Sequence, residues 1–287
     1  MIGWPLKRSV LPLALLLLTP AAAASTADAP PARIVSINLC GDELLLTLAD
    51  PGQIAALSIY AADAVMSFTA EAASAYRHDI AEAEQVVDLD ADLILAGRFT
   101  KRATREMLER LGYRVELLDA VSSIDDSIAQ IRRIAALVGH PERGEALISE
   151  IEAARFRALA AAPRGDPPTA AVYQRRGYVS GGDTLTGELL GIAGFADAAG
   201  GLVGARGGFV PLERIVADPP DFIVVARAEA RAEDQGSALL AHPALADLYP
   251  PERRIVLPEN LTVCGGPSLP AALDRLSTEA QRVRPAT

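Results

Sequence analysis

Cys40 and Cys264 are the two cysteines of this 287-residue chain, and three chemistries are open to them. In an oxidising compartment they can join as a disulfide, provided the Cα atoms come within about 7 Å. As thiols they can line a binding cleft or hold a soft metal. Buried apart, they are inert. Arginine is the second resource. Arg98, Arg175, Arg176 and Arg227 each follow an apolar run, and Arg206 sits in the glycine-rich loop "GGLVGARGGF". Guanidinium forks suit carboxylates and phosphates. The competing reading is that arginine is simply the surface base here, since Lys7 and Lys101 are the only lysines. His78, His140 and His242 are isolated, and the last two each precede a proline at a helix start. No nucleophile elbow, zinc-protease helix, phosphate loop or CxxC is present, so catalysis has no motif behind it.

The N-terminus reads as a leader. Lys7 and Arg8 precede the short apolar run Val10–Leu18, and "TPAAAAST" supplies small residues for cleavage near Ala24. Residues 1–24 are therefore expected to be a signal peptide, and the remainder an exported, soluble protein. Loss of Lys7 and Arg8 takes the formal net charge from −10 to −12. Such an acidic chain is poorly suited to nucleic acid, whose binding rests on phosphate neutralisation.

Beyond the leader, strand-like and helical segments alternate. "RIVSI" (33–37), "IAALSI" (54–59), "DLILAG" and "YRVELLD" are strand candidates, with helices over 42–50 and 101–112. This order predicts a mostly parallel sheet covered on both faces. From Ser123 to Pro163 no strand appears. Ser123 with Asp126 resembles a reciprocal helix cap, Gly139 ends that helix, and Pro141 opens a second one. The second helix, about 20 residues long, makes a rod on the order of 30 Å. The alternation then resumes with "AAVYQ" (170–174), a helix over 186–194, "DFIVVA", "RRIVLP" (253–258) and a last helix from about Pro267. The expected fold is α/β: two similar α/β lobes with mostly parallel sheets joined by one long rigid helix. The expected boundaries are 33–140, 141–163 and 168–287.

One sentence is written twice. "EQVVDLDADLILAGR" from Glu84 aligns with "ERIVADPPDFIVVAR" from Glu213, matching Asp92 with Asp221, Ile94 with Ile223 and Arg98 with Arg227. Each copy reads as a short helix that turns at an aspartate into a central strand.

The run "RIVSINLCGDELLLTLAD", the "LILAG" and "FIVVA" strands, the central rod, "YVSGGDTLTGELLGIAG" and "LERIVADPPD" together resemble the periplasmic substrate-binding proteins of iron-siderophore, haem and vitamin B12 ABC importers. The resemblance spans nearly all of residues 33–285. It implies a periplasmic, monomeric, non-catalytic binder without a cofactor of its own, holding a metal chelate between two lobes. It also implies one docking glutamate per lobe for the arginines of the membrane permease, here Glu84 and Glu213. Physically, matched acids give charge-assisted contacts that steer and register docking. Either acid could equally serve its own helix through the macrodipole.

Ligands of open α/β sheets gather at the carboxyl ends of strands. That rule selects Cys40, Tyr60 and Arg98 in the first lobe and Tyr173, Arg175, Arg227 and Cys264 in the second as ligand-binding candidates. A chelate-sized cleft is expected to hold Cys40 and Cys264 too far apart to bond. The chain departs from the vitamin B12 binders in one respect. Its one tryptophan, Trp4, lies in the leader, and Gly97 stands where a bulky aromatic is expected, leaving Tyr60, Phe99, Tyr173 and Tyr178 for stacking. Two alternatives are kept: a soft-metal binder using Cys40 and Cys264, and an exported enzyme on the same scaffold.

Overall fold

The computed structural model describes residues 29–227 and 238–283. The leader reading therefore lies outside the described residues. The first lobe holds β1 (Ile34–Ser36), β2 (Ile54–Ala56), β3 (Leu93–Gly97) and β4 (Val115–Leu118) in the order β2-β1-β3-β4, every pair parallel. Its helices are α1 (Leu39–Leu48), α2 (Ala70–Ala73), α3 (Ala83–Val87), α4 (Arg102–Arg110) and α5 (Ile124–Val138). The rod is α6 (Pro141–Ala161). The second lobe holds β5 (Thr169–Tyr173), β6 (Tyr178–Ser180), β7 (Ala196–Asp197), β8 (Gly208–Phe209), β9 (Phe222–Val225) and β10 (Arg254–Val256). Its helices are α7 (Leu185–Ile192), α8 (Ala199–Leu202), α9 (Leu212–Ala217), α10 (Pro243–Leu248) and α11 (Leu269–Arg282). Among the described residues no helix is long and apolar enough to cross a membrane.

The parallel part of the second sheet runs β7-β5-β9-β10 and repeats the first sheet's order. The repeated aspartates do the same job in each lobe. Asp92, at the entry to β3, accepts the Ala32 and Arg33 N–H groups at 2.7 and 3.0 Å, just ahead of β1. Asp221, at the entry to β9, accepts the N–H and hydroxyl of Thr169, both at 2.8 Å, at the start of β5. Each aspartate ties its own strand to the neighbouring one, which explains why it recurs. The second lobe adds an antiparallel pair, β6 on β5 and β8 on β6. Those strands are two or three residues long, too short to show a period in sequence.

The two lobes share a core. Leu45 and Leu95 of the first, Ile131 of α5, Ile151 of α6, and Leu189 and Leu273 of the second belong to one continuous buried cluster. The outer face of each sheet carries its own smaller cluster, with Ala83 and Val86 of α3 on one and Ile215 of α9 on the other. A linker buried among both lobes resists hinge motion, because opening would expose apolar surface.

Helix ends follow local rules with one departure. Gly139 closes α5 at φ 89°, a left-handed conformation suited to glycine, and Pro141 opens α6. Ser123 caps α5 by accepting the Asp126 N–H at 3.0 Å. The Asp126 carboxylate, however, reaches Ser122, accepting its N–H at 3.0 Å and its hydroxyl at 2.7 Å. The reciprocal bond is thus displaced by one residue from the expected box. Replacing Ser123 with alanine should lower stability by about 1 kcal/mol, read by urea unfolding; an unchanged midpoint would mean Asp126 alone holds this end.

Candidate functional cleft

Two cavities lie at the carboxyl ends of the parallel strands, the larger between the lobes and the smaller lined by the second lobe alone. The larger, about 420 Å³, lies against the first lobe and is bounded by the segments after β1, β3 and β4, by Tyr60 and Met66, and by Leu185 and residues 262–266 of the second lobe. The smaller, about 290 Å³, lies against the second lobe at the ends of β5, β9 and β10. Thr262 and Val263 border both, so this segment forms a ridge between two chambers.

The ridge is anchored by a covalent bond. Cys40 and Cys264 form a disulfide with Cα atoms 5.2 Å apart. The expectation that a cleft would separate them is corrected: the lobes touch at the cleft floor, and the chambers lie around the bond. Both sulfurs are consumed, which removes the thiolates that a soft-metal site would need. Among the described residues no cluster of histidine, cysteine, aspartate or glutamate could hold a metal ion. Other ties cross the same floor. The Ser127 hydroxyl donates to the Gly265 carbonyl, Ile124 N–H donates to Glu188 Oε2 at 2.7 Å, and Asn260 Nδ2 donates to the Ala64 carbonyl at 3.3 Å.

Cys40 is positioned by the start of α1. Asn38 caps that helix, its Oδ1 accepting the Cys40 and Gly41 N–H groups at 3.1 and 3.2 Å. Gly97 has a reason of its own here. A Cβ at that position would come 2.3 Å from Asn38 Nδ2, so the bulky residue expected there would displace the cap.

Of the other candidates, Tyr60 and Arg98 line the first chamber, both exposed. Tyr173 and Arg175 line the second. Tyr173 is only 1% exposed and packs with Ala171, Val179, Ile215 and Tyr249, so its ring is part of the wall and offers no stacking face. Arg227 is exposed just past β9 and is not among the residues lining either chamber; the same holds for Arg176 and Arg206. Phe99, 87% exposed, stands at the first chamber, while Tyr178 packs edge-on against Phe209. The rim thus mixes aromatic faces with Arg98 and with Lys101, whose ammonium pairs with Glu82 at 2.7 Å.

Two functional residues escape sequence reading. Asp42 and Glu43, near the start of α1, are 0% and 1% exposed, although acids ordinarily face solvent. Asp42 accepts the Ser58 N–H at 3.0 Å and its hydroxyl at 2.5 Å; Glu43 Oε1 accepts the Phe68 N–H at 2.8 Å. They hold the two ends of the loop that carries Tyr60 and Met66 into the first chamber. Burial, the largest influence on each, pushes both carboxyls up to about 7, against Ser58 hydrogen bonds for Asp42 and the Phe68 N–H for Glu43. The folded state therefore retains protons that the unfolded chain releases near pH 4. Stability from these groups is complete below that pH and falls as pH rises through about 7, by on the order of 1 kcal/mol per pH unit per group. Hydrogen bonds from Ser122 and from Thr169 shift Asp126 and Asp221 the other way, so their contribution is lost only at still lower pH. The melting temperature should accordingly fall between pH 5 and pH 8, and Asp42→Asn should flatten that slope; a flat profile in the parent chain would refute the assignment.

The paired acids lie elsewhere. Glu84 is the second residue of α3 and Glu213 the second residue of α9, both exposed. Neither carboxylate hydrogen-bonds or ion-pairs with another described residue. Each helix packs its inner side on the outer face of its own sheet and turns the glutamate outward.

A profile of the periplasmic binding protein family matches residues 34–250. A cobalamin-binding protein of Halobacterium salinarum is 28% identical over 223 residues, covering 76% of this chain. The chain spans 60% of the length of that curated relative. Among solved structures, the periplasmic heme-binding protein RhuT from Roseiflexus sp. RS-1 matches 88% of this chain and 99% of its own, with a TM-score of 0.72 and 23% identity. The periplasmic vitamin B12 binding protein BtuF of Vibrio cholerae matches 88% of this chain and 97% of its own, with a TM-score of 0.64 and 16% identity. The family match covers most of the sequence and the two-lobed fold agrees with it: the chain belongs to the periplasmic binding protein family.

Proposed function

We propose that this chain is the periplasmic substrate-binding component of an ABC importer. It captures an iron chelate (a siderophore or haem) or a corrinoid between its lobes and hands it to the inner-membrane permease. One observation carries the reading: two α/β lobes enclose a cleft at their strand ends, and each presents, at the same position of the equivalent outer helix, one exposed acid with no hydrogen bond or ion pair to a described residue. Residues 33–140 and 168–287 act as the lobes, 141–163 as the strut, and cleavage near Ala24 releases a monomer. The names of the related proteins supply the ligand class, cobalamin and heme. The cleft's mixture of aromatic, apolar and cationic side chains suits a large, partly apolar chelate.

The chain does no chemistry on its cargo in this reading. The test is a thermal-shift panel of haemin, cyanocobalamin and ferric siderophores. At a hundredfold excess over Kd, a ligand stabilises by about 2.7 kcal/mol, or about 5–10 °C for a chain of this size. At least one member should produce such a shift and be recovered intact. A panel without a single shift would remove the reading.

A further inference from the structure

The loop from Ser58 to Phe68 borders the first chamber through Tyr60 and Met66 and is braced from within. The Asp63 carboxylate accepts the Val65 N–H at 2.8 Å, and the Asp63 carbonyl accepts the Ser67 N–H at 2.7 Å. Such a unit moves as a body once its ends are freed. Three ties hold it down: Ser58 on Asp42, Phe68 on Glu43, and the Ala64 carbonyl on Asn260 of the second lobe.

Two of these ties are neighbouring buried acids, and no described cation compensates them. β1 and β3, which pack on α1, carry no charged residue. The loop brings Tyr60 and Asp63, and α2 brings Glu71, all exposed. On α5, Arg132 and Arg133 pair with Glu145 and Glu116, Asp125 meets Arg155, and Asp126 accepts from Ser122. From α6, Arg157 pairs with Asp274, and Arg143 reaches Asp50 and the Leu48 carbonyl at the far end of α1. Burial holds both carboxyls up to about 7, and the charge of Asp42 adds to this at Glu43.

The two acids are not alike. Asp42 accepts from Ser58 on both oxygens, whereas Glu43 Oε2 is buried and meets no donor. Donors favour the ionised form, so the retained proton belongs on Glu43. A second buried carboxylate beside the first, without a cation, is costly. Raising the Phe68 end of the loop gives Glu43 the water that its charge requires.

We propose that the 58–68 loop is a proton-controlled gate over the first chamber, closed while Glu43 is protonated and lifted at its Phe68 end when Glu43 ionises beside Asp42. The closed form retains the proton, so closure is complete at low pH and is lost as pH rises past about 7. For a chelate held in this chamber, which rests on the reading above, capture weakens in alkaline medium.

Hydrogen–deuterium exchange of the ligand-free, oxidised protein at about pH 6 and about pH 9, corrected for intrinsic exchange, tests the gate without any ligand. Amides of 58–68 should lose protection by about tenfold or more at the higher pH, well beyond any loss in α6. Glu43→Gln, neutral at both, should hold that loss within about twofold. Equal protection in the parent at both pH values overturns the proposal. So does a loss shared in full by α6, or one that Glu43→Gln leaves unchanged. A second arm titrates cyanocobalamin and haemin and takes the ratio of parent to Glu43→Gln affinity, which cancels the probe's own ionisation. For a probe that binds, the ratio should fall about tenfold from the lower to the higher pH; a constant ratio overturns the gate. A loop that opens as expected while neither probe binds at either pH supports the gate and counts against capture of these two ligands.

Discussion

Reversing Glu84 and Glu213 together to arginine lowers ligand uptake at least a hundredfold and leaves ligand affinity within about twofold. The reasoning starts from what these acids do not do. They are exposed, neither forms a hydrogen bond or ion pair with a described residue, and they line neither chamber. Their cost to the fold is limited to the first turn of α3 and α9, where a cation opposes the macrodipole by about 0.3–1 kcal/mol. At a docking surface the same reversal sets like charges against each other. A buried charge pair broken on one side costs about 2–5 kcal/mol, and a hundredfold loss needs only about 2.7 kcal/mol. Each single reversal should fall between the parent and the double variant, because each lobe supplies one contact. Uptake by vesicles carrying the cognate permease, alongside equilibrium titration of the ligand, separates the effects. Normal uptake by the double variant would make these acids mere helix-end residues.

Removing the disulfide has the largest expected effect on stability. Cys40 and Cys264 are 224 residues apart in sequence, so the bond closes nearly the whole described chain. Loop-closure entropy for such a span is about 5 kcal/mol, which corresponds to a fall in melting temperature of about 10 °C or more. The Cys40→Ser/Cys264→Ser variant is the suitable test, because it removes the bond without recourse to a reductant. The shared core through α5, α6, α7 and α11 remains, so the variant should stay two-lobed and folded. Its ridge at Thr262 and Val263 loses its anchor, and ligand dissociation should quicken. A variant that melts within a degree of the parent would show that the core alone fixes the lobes.

Sequence made the scaffold readable because strong local signals carry it. The β–α alternation, Gly139, Pro141 and the twin sentence each report a backbone requirement that short-range chemistry imposes. The twin sentence also marked Glu84 and Glu213, since a repeated exposed acid next to a repeated structural aspartate stands out. The cleft was less legible, for reasons specific to each residue. Nothing in a spacing of 224 positions shows that Cys40 and Cys264 meet. Asp42 and Glu43 resemble ordinary acids near a helix start, and the packing of the 58–68 loop buries them. Tyr173 follows the strand-end rule in position, yet its ring turns into the second lobe's core. Gly97 looked like a missing aromatic until the Asn38 cap beside it supplied the reason.

Hydrogen–deuterium exchange with and without the best ligand of the panel tests the central claim most directly. If the cargo lies between the lobes, protection should rise together in segments 58–68, 97–101 and 118–121 of the first lobe and 262–266 of the second, with α3 and α9 unchanged. Protection confined to one lobe, or centred on the outer helices, would contradict it.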